Sequence, residues 1–156
     1  MEEADYPESG SALYLRKGTL FMIVYTQELS NLTEDMLEGF FVGWPNPPSK
    51  QSHMNILKGS YCVWVAIDEA DNKVVGFITA LSDGVISAYI PLLEVLPEYQ
   101  HIGIGKGLVS HMIDSLKDFY MVDLLCDIQL QEYYKKFGMT NATGSFMRNY
   151  ERQNCE

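Results

Sequence analysis

The spacing of hydrophobic and polar positions changes several times along the chain, and each change marks a predicted element. An apolar run over 12–26, interrupted at Gly18, predicts one long strand or a hairpin. Two helices are predicted next, one from a cap at Thr33 to about Val42 and one from a cap at Ser49 to Lys58. Prolines between them cannot continue a helix. Residues 1–11 are expected to be frayed.

The middle of the chain predicts an antiparallel meander. Apolar stretches at 60–68, 74–81 and 85–96 are joined by short turns, whereas a parallel pair needs a crossover of about a dozen residues. Such a crossover follows: a helix from Ile104 to about Asp118 leads to a strand at 121–126, parallel to the strand before it.

The end of the chain predicts a second crossover helix over about 130–137, which stops at Gly138, and a closing strand at 145–150. The complete pattern is that of one α/β domain spanning 1–156. We expect a mixed, mostly antiparallel sheet of about six or seven strands, flanked by about four helices.

Composition and charge narrow the class of protein. With 156 residues, of which 47% are hydrophobic, the chain can form a soluble globular core. A net charge of −10 argues against duplex nucleic acid, which is bound through clustered Lys and Arg. No apolar run approaches the roughly 20 residues of a membrane-spanning helix, so no membrane partner is expected. The acidic start lacks the order of a secretory signal, which predicts a cytoplasmic protein.

Cysteine and histidine positions give no sign of a metal site. Cys62, Cys126 and Cys155 lie far apart without zinc or redox spacing, so reduced and mostly structural thiols are expected. His53 and His111 fall on predicted helices, where packing or surface roles are more common than ligand roles.

The stretch LLEVLPEYQHIGIGKGL at 92–108 is the candidate functional segment. It joins a strand to a helix through a loop with glycines at 103, 105 and 107. Backbone N–H groups at such a helix start have no intrahelical partner, and the helix dipole adds positive potential. The segment therefore predicts a site for phosphate or pyrophosphate.

Two familiar phosphate loops fit this segment poorly. A Walker A loop needs Ser or Thr after its Gly-Lys pair, but Gly107 follows Lys106, and position 100 is not glycine. A dinucleotide fingerprint needs G-x-G-x-x-G directly after the first strand of a βαβ unit, with an acidic residue about 20 residues later. Asp123 lies at that distance, but the third glycine is misplaced and an antiparallel meander precedes the unit. A close packing turn between helix and strand remains an alternative.

The segment in its full context resembles motif A of the GNAT superfamily of acetyl-CoA-dependent N-acetyltransferases, L-x-V-x-P-x-Y-Q-x-x-G-x-G-x-G-L. Downstream, EYYKKFGM at 132–139 is similar to the F-Y-x-K-x-G-F segment of that family. Asp127 stands seven residues before Tyr134, where many members carry Asn or Asp. The resemblance covers about residues 60–150.

The resemblance implies that acetyl-CoA binds between two splayed parallel strands, here 92–96 and 124–127. Backbone groups of one strand would pair with the pantetheine amides, and the loop would hold the pyrophosphate. The implied cofactor residues are Leu93, Val95, Gln100, His101, Gly103, Ile104, Gly105, Lys106 and Asp127. The Lys106 ammonium group could add positive charge at the pyrophosphate, or Lys106 could be a solvated lysine in the first turn of the helix. Many family loops have glycine at the place of His101, and a left-handed conformation is costly for any other residue. His101 therefore implies either a right-handed turn or a role of its side chain near the phosphates.

Acetyl transfer to an amine needs a neutral amine, a polarised carbonyl and a protonated leaving thiolate. The resemblance makes Tyr134 the general acid. Many relatives place the base early in the fourth strand, but residues 88–91 hold no carboxylate, which leaves Glu94, Asp83 and Asp127. We take Glu94 as the base. Cys126 as a ping-pong nucleophile is less favoured than a packing role, because no histidine is placed by the sequence to activate it.

These inferences predict an N-acetyltransferase that moves an acetyl group from acetyl-CoA to a primary amine by direct attack. The acceptor could be a small molecule, a protein N-terminus or a lysine, and the acidic composition favours a cationic one. Phe40, Phe41 and Trp44 are expected to wall the acceptor site. The alternative is a non-catalytic acyl-CoA-binding sensor or partner-binding module. Unpaired sheet edges leave a homodimer open.

Overall fold

The computed structural model describes residues 10–16 and 18–155 of the chain. Its framework is one six-stranded sheet in which each strand lies beside its neighbour in sequence. The strands are β1 (Ser11–Arg16), β2 (Thr19–Thr26), β3 (Cys62–Asp68), β4 (Lys73–Ser82), β5 (Ser87–Val95) and β6 (Met121–Leu124). The pairs from β1 to β5 are antiparallel and β5–β6 is parallel, which confirms the predicted mixed sheet.

Three α-helices accompany the sheet in the described residues: α1 (Lys50–Gly59), α2 (Ile104–Ser115) and α3 (Gln131–Lys135). Single 3₁₀ turns lie at Glu34–Leu37, Pro97–Tyr99, Ile128–Leu130 and Tyr150–Arg152. The predicted cap of α1 is confirmed, because Ser49 Oγ accepts a hydrogen bond from Ser52 N at 3.1 Å. The predicted second crossover helix is shorter than expected, and Gly138 is left-handed beyond its end (φ 84°).

The predicted helix from Thr33 to Val42 is wrong beyond its first turn. Left-handed residues occur at Gly39 (φ 93°), Phe41 (φ 60°) and Gly43 (φ 80°), and a right-handed helix cannot continue through them. The segment nevertheless contributes apolar side chains to the core, since Met36, Leu37 and Phe40 are buried. The segment therefore packs on the sheet as an irregular wall.

The two ends of the chain also differ from expectation. The 12–26 run is a hairpin, with Gly18 at φ 83° in its turn. Ser11 already belongs to β1, so the expected fraying to residue 11 is wrong at that position, while positions 1–9 lie outside the described residues. The predicted closing strand at 145–150 is absent. The neighbouring side chains of Phe146 and Met147, 69% and 91% exposed, do not alternate between a buried and an exposed face as a strand on this sheet would require.

The core has two halves, one on each face of the sheet. A Cβ at Gly76 would meet Leu108 of α2, whereas its strand neighbour Phe77 packs on His53 of α1, with ring centroids 4.4 Å apart. Neighbouring residues on a strand point to opposite faces, so α2 covers one face and α1 the other. Burial of each large aliphatic side chain contributes about 1.5–3 kcal/mol. This packing holds α2 so that its first turn lies at the end of β5.

Candidate active site

Strands β5 and β6 run side by side and then diverge. Their register covers Ser87↔Met121 to Ile90↔Leu124, where β6 ends, while β5 continues to Val95. Pro91 lies at this point without a backbone N–H, and the β4–β5 register shifts there in a bulge. Bulges bend a strand away from its neighbour. A cleft therefore opens beyond Ile90, as the family resemblance implies for the strand segments 92–96 and 124–127.

The backbone of β5 directs polar groups into this cleft. Leu96 N donates to Val75 O of β4 at 2.9 Å, and backbone groups alternate sides along a strand. The groups of Leu93 and Val95 consequently point away from β4, towards the cleft. Within the described residues no strand pairs with that side of Leu93. Val95 O accepts a hydrogen bond from Gln100 Nε2 at 2.8 Å, which ties the following loop to the strand.

The cleft has a volume of about 1130 Å³. Its lining combines the diverging strands with residues from three other parts of the chain: Trp44, Leu93, Cys126, Asp127, Tyr134 and Tyr150. The sequence pointed to all of these except Tyr150, which belongs to the segment mispredicted as a closing strand. No periodic signal in that segment indicates that it borders the cleft.

The loop at the end of β5 has the strained geometry of a binding loop. His101 is left-handed (φ 64°), which excludes the right-handed turn considered for it, and Gly103 caps α2 at φ 110°. His101 and Lys106 are exposed. Ile104 is 1% exposed, so it can contribute only through its backbone. The loop thus presents backbone groups, one imidazole and one ammonium group at the start of α2.

The three glycines of the loop have three different neighbours. A Cβ at Gly103 would meet the Tyr14 ring at 3.2 Å, on top of the strain of its positive φ. A Cβ at Gly105 would lie 3.6 Å from both Tyr133 Oη and Val95 Cγ2, an ordinary contact distance. At Gly107 it would collide with Tyr25 Oη at 2.4 Å. The packing alternative therefore applies to Gly107, whereas a methyl group at Gly105 could be accommodated in ordinary contact beside the end of β5.

Tyr134 lines the cleft, whereas its neighbour Tyr133 packs against the start of α2. Tyr134 is half-buried, and burial together with the nearby Cys126 raises its pKa to about 12. The Tyr133 ring lies 5.3 Å from that of Phe137, and its hydroxyl lies towards Gly105. Of these two adjacent tyrosines, Tyr134 is therefore the one in the cleft lining, and its hydroxyl group can donate a hydrogen bond.

The three candidate carboxylates have different surroundings. Glu94 accepts a hydrogen bond on each oxygen, from Phe41 N at 2.9 Å and Val42 N at 3.0 Å. Asp83 accepts hydrogen bonds from the backbone N–H groups of residues 85–87, which lower its pKa to about 2. Asp127 is exposed at the cleft and makes no side-chain cap to the turn it precedes. Only Asp127 thus combines a place in the cleft lining with an exposed carboxylate.

His53 and His111 lie away from the cleft lining. His53 is 1% exposed among Phe40, Phe41 and Phe77, and this burial lowers its pKa to about 4. The His111 ring stacks on Trp64 at 4.4 Å. Both have packing positions, as expected. Over residues 10–16 and 18–155, no three His, Cys, Asp or Glu side chains form a group that could hold a metal ion.

Trp44 is the part of the expected acceptor wall that reaches the cleft. It is 39% exposed, whereas Phe40 and Phe41 are buried at 9% and 4%. Phe41 supports it, with the two rings edge to face at 5.1 Å. No helix in the described part of the chain is long and apolar enough to cross a membrane.

Comparison with protein families decides what kind of cleft this is. The model of the acetyltransferase (GNAT) family matches residues 29–139, which include the loop, the diverging strands and α3. The chain belongs to the GNAT family of acetyltransferases. Membership accounts for the parallel β5–β6 pair within an otherwise antiparallel sheet, and it confirms the resemblance carried by the loop motif.

Known GNAT proteins give the same picture in sequence and in structure. A crystal structure of a candidate acetyltransferase from Deinococcus radiodurans R1 is 39% identical, with a TM-score of 0.81 over 85% of this chain and 92% of that one. An uncharacterized N-acetyltransferase, ycf52-like, from Prochlorococcus marinus is 33% identical over 78% of this chain and 67% of its own length. GCN5-related N-acetyltransferase 2, chloroplastic, from Arabidopsis thaliana is 33% identical over 45% of this chain, which spans 28% of that protein.

Proposed function

We propose that this GNAT chain is an enzyme that transfers an acetyl group from acetyl-CoA to a primary amine by direct attack. The observation that carries the proposal is the cleft beyond the paired part of β5 and β6, which Leu93, Asp127 and Tyr134 line together. Family membership supports acyl transfer. The choice of acetyl-CoA and of a primary amine is our inference.

The β5–α2 connection suits the coenzyme. The cleft-facing groups of Leu93 and Val95 would pair with the pantetheine amides in place of a neighbouring strand. Backbone N–H groups from Gln100 to Lys106, with the dipole of the twelve-residue α2, would receive the pyrophosphate. Gly105 has no side chain beside the strand end, and Asp127 is part of the cleft lining.

Tyr134 suits the departure of the thiolate. The amine nitrogen attacks the thioester carbonyl carbon, the C–S bond breaks, and the sulfur receives a proton in place of its bond to carbon. A tyrosine keeps its proton throughout the physiological range, so its hydroxyl is available to donate to the developing thiolate. The attacking nitrogen supplies the proton that restores Tyr134, so atoms and charge balance.

An alkylammonium group must lose a proton before it can attack, which costs roughly 4 kcal/mol at pH 7. Asp127 is the candidate carboxylate that lines the cleft and could accept this proton through water. The base role predicted for Glu94 stays a prediction. The acceptor would enter beside Trp44, and the net charge of −10 favours a cationic amine. A cytoplasmic location likewise remains a proposal.

The experiment measures acetyl-CoA binding by thermal shift and thiol release with a panel of primary amines, including polyamines and lysine or N-terminal peptides. The proposal expects a raised melting temperature with acetyl-CoA and thiol release that depends on at least one amine. A thermal shift without release for any amine would replace transfer by acyl-CoA sensing. No shift at all would overturn the proposed coenzyme.

A further inference from the structure

The irregular segment 39–44, which we call the tryptophan loop, depends on an unusual backbone. Gly39, Phe41 and Gly43 are all left-handed, and only Phe41 carries a side chain that makes this conformation costly. Strain of this kind persists where the surrounding structure determines it. A specific partner must therefore stabilise the loop at Phe41.

Glu94 is that partner. Its cross-strand neighbour is Phe77 on β4, so the two side chains share the face that carries the loop. Glu94 Oε2 accepts from Phe41 N at 2.9 Å and Oε1 accepts from Val42 N at 3.0 Å. Successive N–H groups beside a left-handed residue form a concavity that favours an anion, and the carboxylate occupies it. Charge makes both hydrogen bonds stronger than neutral ones.

The fixed loop places one ring in the cleft. Trp44 N donates to Phe41 O at 3.1 Å, and the two rings meet edge to face at 5.1 Å. Phe41 is anchored beneath by His53, with ring centroids 4.9 Å apart. Trp44 is the member of this stack that lines the cleft. The Glu94 carboxylate on β5 thus determines the position of the Trp44 indole ring.

We propose that Glu94 is a positioning residue, which holds the tryptophan loop and thereby sets the acceptor side of the cleft, and that it is not the general base. The proposal rests on the proposed acetyl transfer. Both carboxylate oxygens already accept backbone N–H groups on the loop side of β5. The exposed carboxylate of Asp127 is left for proton transfer.

The kinetic test is Glu94→Gln, which keeps the size of the side chain but leaves only one acceptor oxygen and sets an NH₂ group against a backbone N–H. Loss of one such hydrogen bond predicts a rise of about tenfold in the acceptor KM. The acetyl-CoA KM and the shape of the kcat–pH profile should not change. Glu69→Gln makes the same chemical change on an exposed residue after β3 and should alter none of these values.

A double-mutant cycle with Trp44→Ala tests the route. Because Glu94 is proposed to act through Trp44, the two substitutions together should raise the acceptor KM no more than Trp44→Ala alone. Additive effects would overturn the route. A fall of about 100-fold in kcat, with loss of one limb of its pH profile and an unchanged acceptor KM, would make Glu94 the base.

A spectroscopic measurement separates this inference from the proposed enzyme activity. The other tryptophan, Trp64, is 7% exposed, so acrylamide quenching of fluorescence reports mainly on Trp44. Glu94→Gln should increase quenching about twofold as the loop loosens, with no change in Glu69→Gln. Unchanged quenching would overturn the positioning role. This readout needs no substrate, so it stands even if no amine is acetylated.

Discussion

The hydroxyl of Tyr25 lies against Gly107 so closely that a Cβ on this glycine would stand 2.4 Å from Tyr25 Oη. The same hydroxyl donates to Ile104 O at 3.3 Å and lies 2.6 Å from Tyr14 Oη. These contacts bind the first turn of α2 to the N-terminal hairpin. Gly107 therefore serves the packing of the helix, although it stands in the same glycine-rich run as Gly105.

We expect Gly107→Ala to lower the free energy of unfolding by about 1–3 kcal/mol, because the methyl group overpacks the contact with Tyr25. Gly105→Ala is the matched control, since its methyl group would lie at an ordinary contact distance of 3.6 Å from its neighbours and alanine favours a helix by about 1 kcal/mol. Urea unfolding measures both. Equal stability of wild type and Gly107→Ala would contradict the packing role.

A larger side chain at Gly105 should affect the coenzyme and spare the fold. Gly105→Leu projects towards Val95 and Tyr133, where the chain passes from strand to loop. We expect a loss of about tenfold or more in acetyl-CoA affinity, measured by calorimetry, with a melting temperature close to that of Gly105→Ala. Undiminished affinity would place the coenzyme elsewhere.

His101 offers a test of the loop strain. Glycine adopts φ 64° without penalty, so His101→Gly should raise the free energy of unfolding by about 1 kcal/mol. If the imidazole contacts a phosphate, the same change weakens acetyl-CoA binding. Asn72→Gly is the control, because Asn72 is also left-handed (φ 49°) but lies in the β3–β4 turn. Asn72→Gly should also raise the free energy of unfolding, and its affinity for acetyl-CoA should equal that of the wild type. Equal acetyl-CoA affinity of the two variants would exclude His101 from the coenzyme site.

His53 makes stability depend on pH. Burial lowers its pKa from 6.5 to about 4, so between these values the unfolded state binds more protons than the folded state. Stability is therefore present above pH 6.5 and is lost as pH falls towards 4, by about 2 kcal/mol between pH 7.5 and 5. Urea unfolding at both pH values should show a smaller loss for His53→Leu. Equal losses would contradict this assignment.

The predictable parts of the fold were those with a local physical signal. Short turns forced the antiparallel meander, and the change from strand to glycine loop to helix located α2 and the parallel return of β6. The sequence could not show that packing against Tyr25 requires a glycine at position 107, because the two residues lie far apart in sequence. The left-handed conformation of Phe41 could not be predicted either, since no local sequence signal indicates that conformation for a phenylalanine.

The residues of the candidate site divide in the same way, into those that the sequence could indicate and those that it could not. The family resemblance implied that Leu93, Asp127 and Tyr134 share one cleft, and the structure has all three in its lining. The contacts of Glu94 could not be foreseen, because they depend on how the 39–44 segment folds over β4. The C-terminal segment that borders the cleft was mispredicted as a strand, since its composition favours strands while its packing does not support one.

The most direct test of the account is the turnover of Tyr134→Phe with acetyl-CoA and an active amine. Loss of the proton donor predicts a fall in kcat of about 100-fold or more, with an unchanged dissociation constant for acetyl-CoA. Tyr133→Phe, one residue away and packed against the start of α2, should keep kcat within about threefold. Full turnover by Tyr134→Phe would contradict the proposed chemistry of the cleft.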